Sequence, residues 1–528
     1  MKNIDLLLCE DRENGGLMDT GHINDFYIAD MGIEHIKLLE GFFNSETYDI
    51  FIKTISNPLR NAEKIIERQN ILKDFLAFPG IAQKLKSICD DIQKNKCRAY
   101  DEDPKQNLKE YREILYRSMD VSEELLKHLK HRDFCSNTLK DLRNQLDCPE
   151  KTERVKSRVN TFVECCISDN VSLSVEYGSA FKFKSADIYF DGNIKSEDNE
   201  NRETGIFKLF HNKMPRRREL TDGFYYDEFL QLNVEVSGEK GILSFVTPYA
   251  TSVITDLNRH ILSFCADLSR QLSFYIACVE IVKFMENKQI PSVFPEICTD
   301  DSNGKVIQAK NLLDFGLLLP RTRGDDGDNP VTANDFNDCG NAIYLISGAN
   351  QGGKTTFIKS IGIAQLFAQA GLKAPAEEYK CPVFNNFFSH FSKDEDEDLN
   401  FGKLAEELMR IKKAMPMIAD NALVLFNESF ATTTESEGFE IASDILRAIS
   451  ETSPKIFFVT HNYPLLKKRH EVSKLLAHGT EIKSLIVREG ENPADRTYKI
   501  IEGEPQENIN TIDFFEKLTA NINIENII

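Results

Sequence analysis

The chain is 528 residues long, carries 64 Lys and Arg against 84 Asp and Glu for a formal charge of −20, and is 41% hydrophobic with no Trp. At roughly 100–200 residues per domain this length predicts about three to five domains, and the apolar content excludes a disordered or fibrous chain. The acidic balance argues against a surface that is basic throughout, while leaving room for a local basic channel.

Twelve cysteines are scattered through the chain. None forms a Cys-x-x-Cys pair, and the adjacent Cys165 and Cys166 suit neither a zinc knuckle nor an easy disulfide. Reduced thiols in a cytosolic protein are the expectation. The opening MKNIDLLLCEDRENGG has too short an apolar run for a signal peptide. No stretch reaches the roughly 18 apolar residues of a membrane span, so a soluble, cytoplasmic chain without a membrane partner is expected.

In chain order, residues 1–104 read as an N-terminal helical core, with apolar residues at helical spacing from Asn57 to Ile92 and Pro58 and Pro79 as punctuation. Residues 105–290 read as lever helices around a strand-rich, clamp-like insert at about 171–248. Ile114, Val121, Leu125 and Leu129 form one stripe, and LSVEYGSAFKFKSADIYF then alternates as strands do. From about 251 to 286, Ile254, Leu257, Ile261, Phe264, Leu268, Leu272, Tyr275, Val279 and Val282 step by three and four, which predicts a helix roughly 50 Å long. Residues 291–340 read as a linker leading into the last domain. From 341 to 528 the texture is α/β: AIYLIS, ALVLF (422–426) and KIFFVT (455–460) are short apolar runs alternating with helical segments, which predicts a mostly parallel sheet covered on both faces.

Gly348-Ala349-Asn350-Gln351-Gly352-Gly353-Lys354-Thr355, followed by Thr356, fits G-x-x-x-x-G-K-[ST] between a predicted strand and a predicted helix. Glycines let the backbone turn its amides toward phosphate oxygens, and the helix N-terminus adds positive charge. Lys354 would reach the β- and γ-phosphates of ATP, and Thr355 would place its hydroxyl on Mg²⁺. About 70 residues on, the strand ALVLF ends in Asn427-Glu428. A phosphate-loop ATPase ordinarily has an Asp at the first of these positions to hold the metal shell. Asn427 stands there instead, and Glu428 is placed as general base. His461 follows KIFFVT directly, where a histidine can sense the γ-phosphate.

These residues carry a resemblance to the ATPase domain of the MutS family, within the ABC-type ATPases. That family's loop reads close to GPNMGGKST, against GANQGGKTT here. Its VPA step is matched by Ala374-Pro375-Ala376, and DE-x-GRGTST-x-DG by NESFATTTESEG with Thr433 and Gly438 in place. Its histidine triplet is matched by Thr460-His461-Asn462, and its ND pair by Asn334-Asp335. Upstream, NPLRNAEKIIERQNILKDF (57–75) is similar to the start of the family's helical core, and the long helix followed by IPSVFPEI to its lever. The resemblance implies a multidomain α plus α/β protein in which helical core and lever domains with a small strand-rich insert precede an ABC-type ATPase domain. It implies ATP and Mg²⁺ as ligands, a homodimer, and ATP-driven opening and closing of a clamp around DNA in repair or recombination.

The chain departs from that pattern. It is too short for the family's mismatch-reading and connector domains, so a structured duplex is expected rather than a mismatch. Asn427 replaces Asp, which predicts slow hydrolysis. Ser429-Phe430-Ala431-Thr432 replaces an arginine- and glycine-rich loop, and the family's signature serine has no counterpart in Asn400–Glu407. Lys213, Arg216, Arg217 and Arg218 form the densest basic patch, readable as DNA phosphate contacts or as a solvated loop. Asp394–Asp398 reads as a solvated acidic loop, and Lys467–His470 as a helix cap. An ATP-binding scaffold with weak hydrolysis and no direct DNA binding is the alternative, favoured by the charge and by Asn427.

Overall fold

The computed structural model describes residues 5–8, 43–94, 104–167, 171–177, 183–190, 206–208, 217–221, 224–227, 239–298, 306–319, 331–338, 340–391, 402–418, 421–490 and 496–505. The side chains of 171–249 lie outside that description. The chain divides into two compact units, Met1–Leu6 with Phe78–Leu272 and Leu7–Ala77 with Ser273–Ile528. Helices α1 (Ser45–Ile55) and α2 (Ala62–Ala77) fall in the second unit. Helices α3 (Ile81–Ile92), α4 (Pro104–Met119), α5 (Val121–Leu129), α6 (Asn137–Leu146) and α7 (Pro149–Ile167) fall in the first.

In the first unit, helical spacing produces the packing. Leu108, Leu115 and Met119 of α4 meet Val159 and Val163 of α7 and Ala250, Ile254 and Leu257 of a long helix, α8 (Glu239–Asn287), in one apolar cluster. Between α7 and α8 the backbone forms an antiparallel sheet of β1 (Val171–Tyr177), β2 (Phe183–Phe190) and β3 (Ile206–Lys208), with a hairpin of β4 (Arg217–Thr221) and β5 (Phe224–Asp227). The alternating pattern read from the sequence therefore does become strands. Helix α8 starts twelve residues before the expected 251, passing through Gly241 and Pro248. Among the described residues no helix is long and apolar enough to cross a membrane.

The second unit holds two sheets. The smaller one has the order β6 (Glu296–Ile297), β10 (Glu378–Cys381), β7 (Gln308–Leu312), β8 (Asn334–Asn337); a short helix α9 (Phe315–Leu318) follows β7. The larger has the order β11 (Asn386–Phe391), β12 (Ala422–Asn427), β13 (Lys455–Val459), β9 (Ala342–Ser347), β14 (Glu481–Glu489), β15 (Arg496–Glu502). Its first five strands are parallel, and β15 closes the edge antiparallel to β14. Strands β9, β12 and β13 are buried along their whole length. That is why they read as unbroken apolar runs: a parallel strand is covered on both faces. Tyr344 and Ile346 of β9 face the cluster that contains Phe357, Ile358 and Ile361 of α10 (Lys354–Gln369). Ile343 and Leu345 face Ile411 and Ala414 of α11 (Lys403–Ile418) and Leu446 of α12 (Glu435–Ser450).

Three polar clasps hold this unit. Lys455, 2% exposed, meets the fully buried Asp338 at 2.6 Å, and Asp338 also accepts from Tyr344 Oη at 2.7 Å and Gly340 N at 3.0 Å. The Asn334 carboxamide donates to Tyr498 O at 3.2 Å and accepts from Ile500 N at 2.8 Å, gripping β15 as a strand partner would. At the end of α10, the buried Gln369 donates to Leu59 O and Phe384 O, each at 2.8 Å, and so ties down the NPL segment read as the start of the helical core.

Candidate functional site

The expected loop connects β9 to α10. Gly348, Gln351 and Gly353 have φ of 128°, 59° and 90°, so the backbone turns back on itself before Lys354 opens the helix. Only glycine adopts the first of these without strain. A Cβ on Gly352 would stand 2.8 Å from Val487 Cγ2 and 2.9 Å from Ala349 O, so the β14 side chain packs directly against the loop. Ala349, Asn350 and Gln351 form the loop's outer tip, where Asn350 O accepts from Arg496. Thr356 lies half-buried in the first turn of α10.

Lys354 is 5% exposed and donates to Gly348 O at 2.9 Å and Ala349 O at 3.0 Å. Burial lowers its pKa, and the negative charge of Glu428 opposes that shift. Thr355 donates its hydroxyl to Asn427 Oδ1 at 2.8 Å. Two hard oxygens, one from the first turn of α10 and one from the end of β12, therefore stand together, the donor chemistry that Mg²⁺ takes.

Glu428 and His461 meet at the ends of the neighbouring strands. In register, Asn427 lies opposite Val459, and Val459 opposite Ile346. The ladder continues beyond the strands through Glu428 N to Val459 O at 2.8 Å and Thr460 N to Ile346 O at 3.0 Å. This sets Glu428 Oε1 3.5 Å from His461 Nε2, both groups being partly exposed. Burial lowers the His461 pKa and the charge of Lys354 lowers it further, against the pull of Glu428, so the ring is neutral at physiological pH. Asn462 then caps α13 (Tyr463–Lys467), accepting from Leu465 N at 2.9 Å. In the basic run that follows, Arg469, at the start of α14 (Arg469–Ser473), donates to Leu466 O at 3.2 Å.

Five of the expected site residues, Lys354, Thr355, Asn427, Glu428 and His461, thus share one edge of the sheet. The basic patch is different. Lys213 and Arg216 lie outside the described residues, and Arg217 and Arg218 fall in β4, opposite Asp227 and Tyr226, with side chains outside the description. Asp394–Asp398, Asn400 and Phe401 lie outside it too.

Sequence reasoning passed over what surrounds Glu428. His390 on β11 is 1% exposed, with Nδ1 2.7 Å from Ser429 Oγ, and Glu407 on α11 accepts from Phe430 N at 3.0 Å. Burial, then the charge of Arg410, hold the His390 pKa down to about 4. Burial raises that of Glu407. Their only signal is tertiary, because His390 and Ser429 are 39 residues apart.

Residues 344–510, which contain all five clustered side chains, match the family model described as MutS domain V. This segment belongs to the MutS family. The MutS match extends upstream of it as well. The chain is 25% identical over 493 residues to the "DNA mismatch repair protein MutS" of Listeria monocytogenes serotype 4a, covering 84% of this chain and 54% of that protein. It is 34% identical over 139 residues to the "Endonuclease MutS2" of Bacillus velezensis, covering 26% of this chain and 18% of that protein. The chain spans about half the length of the MutS proteins it matches along most of its sequence.

Proposed function

We propose that this chain is a MutS-type ATPase that binds ATP with Mg²⁺ at the β9–α10 loop and hydrolyses it slowly. The observation that carries the reading is the meeting of Thr355 with Asn427 at 2.8 Å, beside a Glu428–His461 pair just beyond the ends of β12 and β13. Mg²⁺, when bound, would neutralise phosphate charge, and Thr355 and Asn427 are the residues that would hold it. Lys354 exchanges two backbone carbonyls for phosphate oxygens. Glu428 takes the proton of the attacking water, and the neutral His461, in contact with it, senses the terminal phosphate. Calorimetry of ATP binding to Lys354→Ala tests the assignment: loss of binding is expected, and wild-type affinity in that variant would overturn it.

On this reading ATP closes a homodimer around structured duplex DNA in a repair or recombination process, in the cytoplasm. Similarity to the Listeria relative, named as a DNA mismatch repair protein, supports the DNA part. Gel shifts on duplex, mismatched and junction DNA with and without ATP, at stated salt, test it, and light scattering with ATP and Mg²⁺ tests the dimer. The second reading, an ATP-binding scaffold, is favoured by Asn427 standing where a carboxylate is usual. DNA-independent partner binding and no turnover would select it.

A further inference from the structure

We infer that His390 and Glu407 are positioning residues that clamp the turn Glu428-Ser429-Phe430 and thereby aim the Glu428 carboxylate. The inference rests on the proposed role of Glu428.

The turn needs holding. Glu428 and Phe430 have φ of 54° and 65°, left-handed conformations that non-glycine residues adopt at a cost. Such backbone persists only where its surroundings over-determine it. Each part of the turn has its own restraint. Glu428 N is tied to Val459 O at 2.8 Å. Ser429, 5% exposed, has its hydroxyl oxygen 2.7 Å from His390 Nδ1 and 3.4 Å from His390 O. The low pKa of the buried ring keeps it neutral. Phe430 N donates to Glu407 Oε2 at 3.0 Å, and the Phe430 ring lies nearly parallel to the His390 imidazole, with centroids 6.5 Å apart. The two clamping side chains come from α11 and from β11, the strand on the side of β12 away from β13. Glu428 is therefore gripped through its neighbours while its own carboxylate stays free for chemistry.

A general base acts only within hydrogen-bond reach of the proton it takes, and a misplacement of about 1 Å can cost on the order of 100-fold in rate. The experiment compares Glu407→Leu, which strands the Phe430 N–H, Glu407→Gln, which keeps an acceptor, and Ser429→Ala, each made alone and on Glu428→Gln. Glu407→Leu and Ser429→Ala are expected to lower kcat for ATP about 10- to 100-fold with KM within about twofold. Glu407→Gln should stay near wild type, and the losses should vanish on Glu428→Gln. Losses of equal size in both backgrounds, or a raised KM with unchanged kcat, would overturn the inference. Amide exchange over residues 427–433 needs no turnover: faster exchange in Glu407→Leu but not in Glu407→Gln supports the clamp, and unchanged exchange sinks it. Wild-type turnover no higher than that of Glu428→Gln would count against the base assignment, leaving the clamp to be judged by exchange alone.

Discussion

Thr355 and Asn427, 72 residues apart, share a hydrogen bond of 2.8 Å in which the threonine hydroxyl is the donor. The carboxamide keeps the acceptor oxygen that this contact needs but not the charge of a carboxylate. Mg²⁺ binds through few carboxylates together with phosphates and water. Asn427→Asp is therefore expected to lower the Mg²⁺ concentration for half-maximal ATPase activity, by about tenfold if the added charge is worth one charged hydrogen bond. A magnesium titration of both proteins checks this, and coincident curves would remove Asn427 from the metal shell.

Glu428→Gln should lower turnover by about 10²–10⁴-fold, the range for loss of a general base, while leaving ATP bound. Single-turnover measurements separate the two. Hydrolysis at the wild-type rate would assign the base elsewhere.

Gly352→Ala should abolish tight ATP binding, because its Cβ would fall 2.8 Å from Val487 Cγ2 and 2.9 Å from Ala349 O. Adding Val487→Ala removes the first clash but not the second, which is with backbone. Partial recovery of affinity in the double variant is expected by calorimetry. Full recovery would show that the backbone contact is immaterial.

Acid sensitivity follows from His390. Its folded pKa of about 4 lies below the ordinary value of 6.5, so between these values the unfolded chain binds the extra proton. The sign is a loss of stability as pH falls from 6.5 toward 4, with no contribution above 6.5. At 1.36 kcal/mol per unit the penalty reaches a few kcal/mol. His390→Asn should shrink the drop in melting temperature between pH 7 and pH 4.5. An unchanged drop would place the acid sensitivity in other groups.

Lys455→Met should be among the most damaging substitutions in the second unit. It leaves Asp338 buried without its cation, at a cost of about 3–5 kcal/mol. Adding Asp338→Asn should recover part of that loss. Thermal melting of the three variants checks the order, and a fully stable single variant would contradict it.

What the sequence disclosed depended on where each residue's partners lie. Strands β9, β12 and β13 were legible because burial on both faces writes a continuous apolar run between turn signals. The early start of α8 was hidden, since Gly241 and Pro248 carry the signals of a break. Strands β14 and β15 went unnamed: β14 mixes Lys483 and Arg488 with Ile482 and Leu485, and β15 is mostly exposed. The clustering of Lys354, Thr355, Asn427, Glu428 and His461 followed from parallel pairing, which brings the ends of β12 and β13 and the loop and helix start after β9 to one end of the sheet. His390 and Lys455 could not be singled out in the same way, and Asn334 stood out only through the Asn334-Asp335 pair, not through its partners. Each is an ordinary residue in its own neighbourhood and acquires its partners, such as Tyr498 at 164 positions from Asn334, only when the sheet closes.

The row formed by Asn427, Val459 and Ile346 has a bearing on how this domain can change over evolutionary time. Adjacent strands are held about 4.8 Å apart by their backbone ladder, so the spacing between the loop, Glu428 and His461 is a property of the sheet. Apart from the 348–355 loop and the 428–430 turn, the surface stretches of the segments that join these strands can lengthen, shorten or exchange sequence without altering it. Substitutions that disturb the chemistry without touching it should accordingly gather in the strands and their immediate clasps, and insertions should be tolerated only in connecting stretches away from the 348–355 loop, Glu407 and the 428–430 turn, as long as the pairing of β12, β13 and β9 is kept.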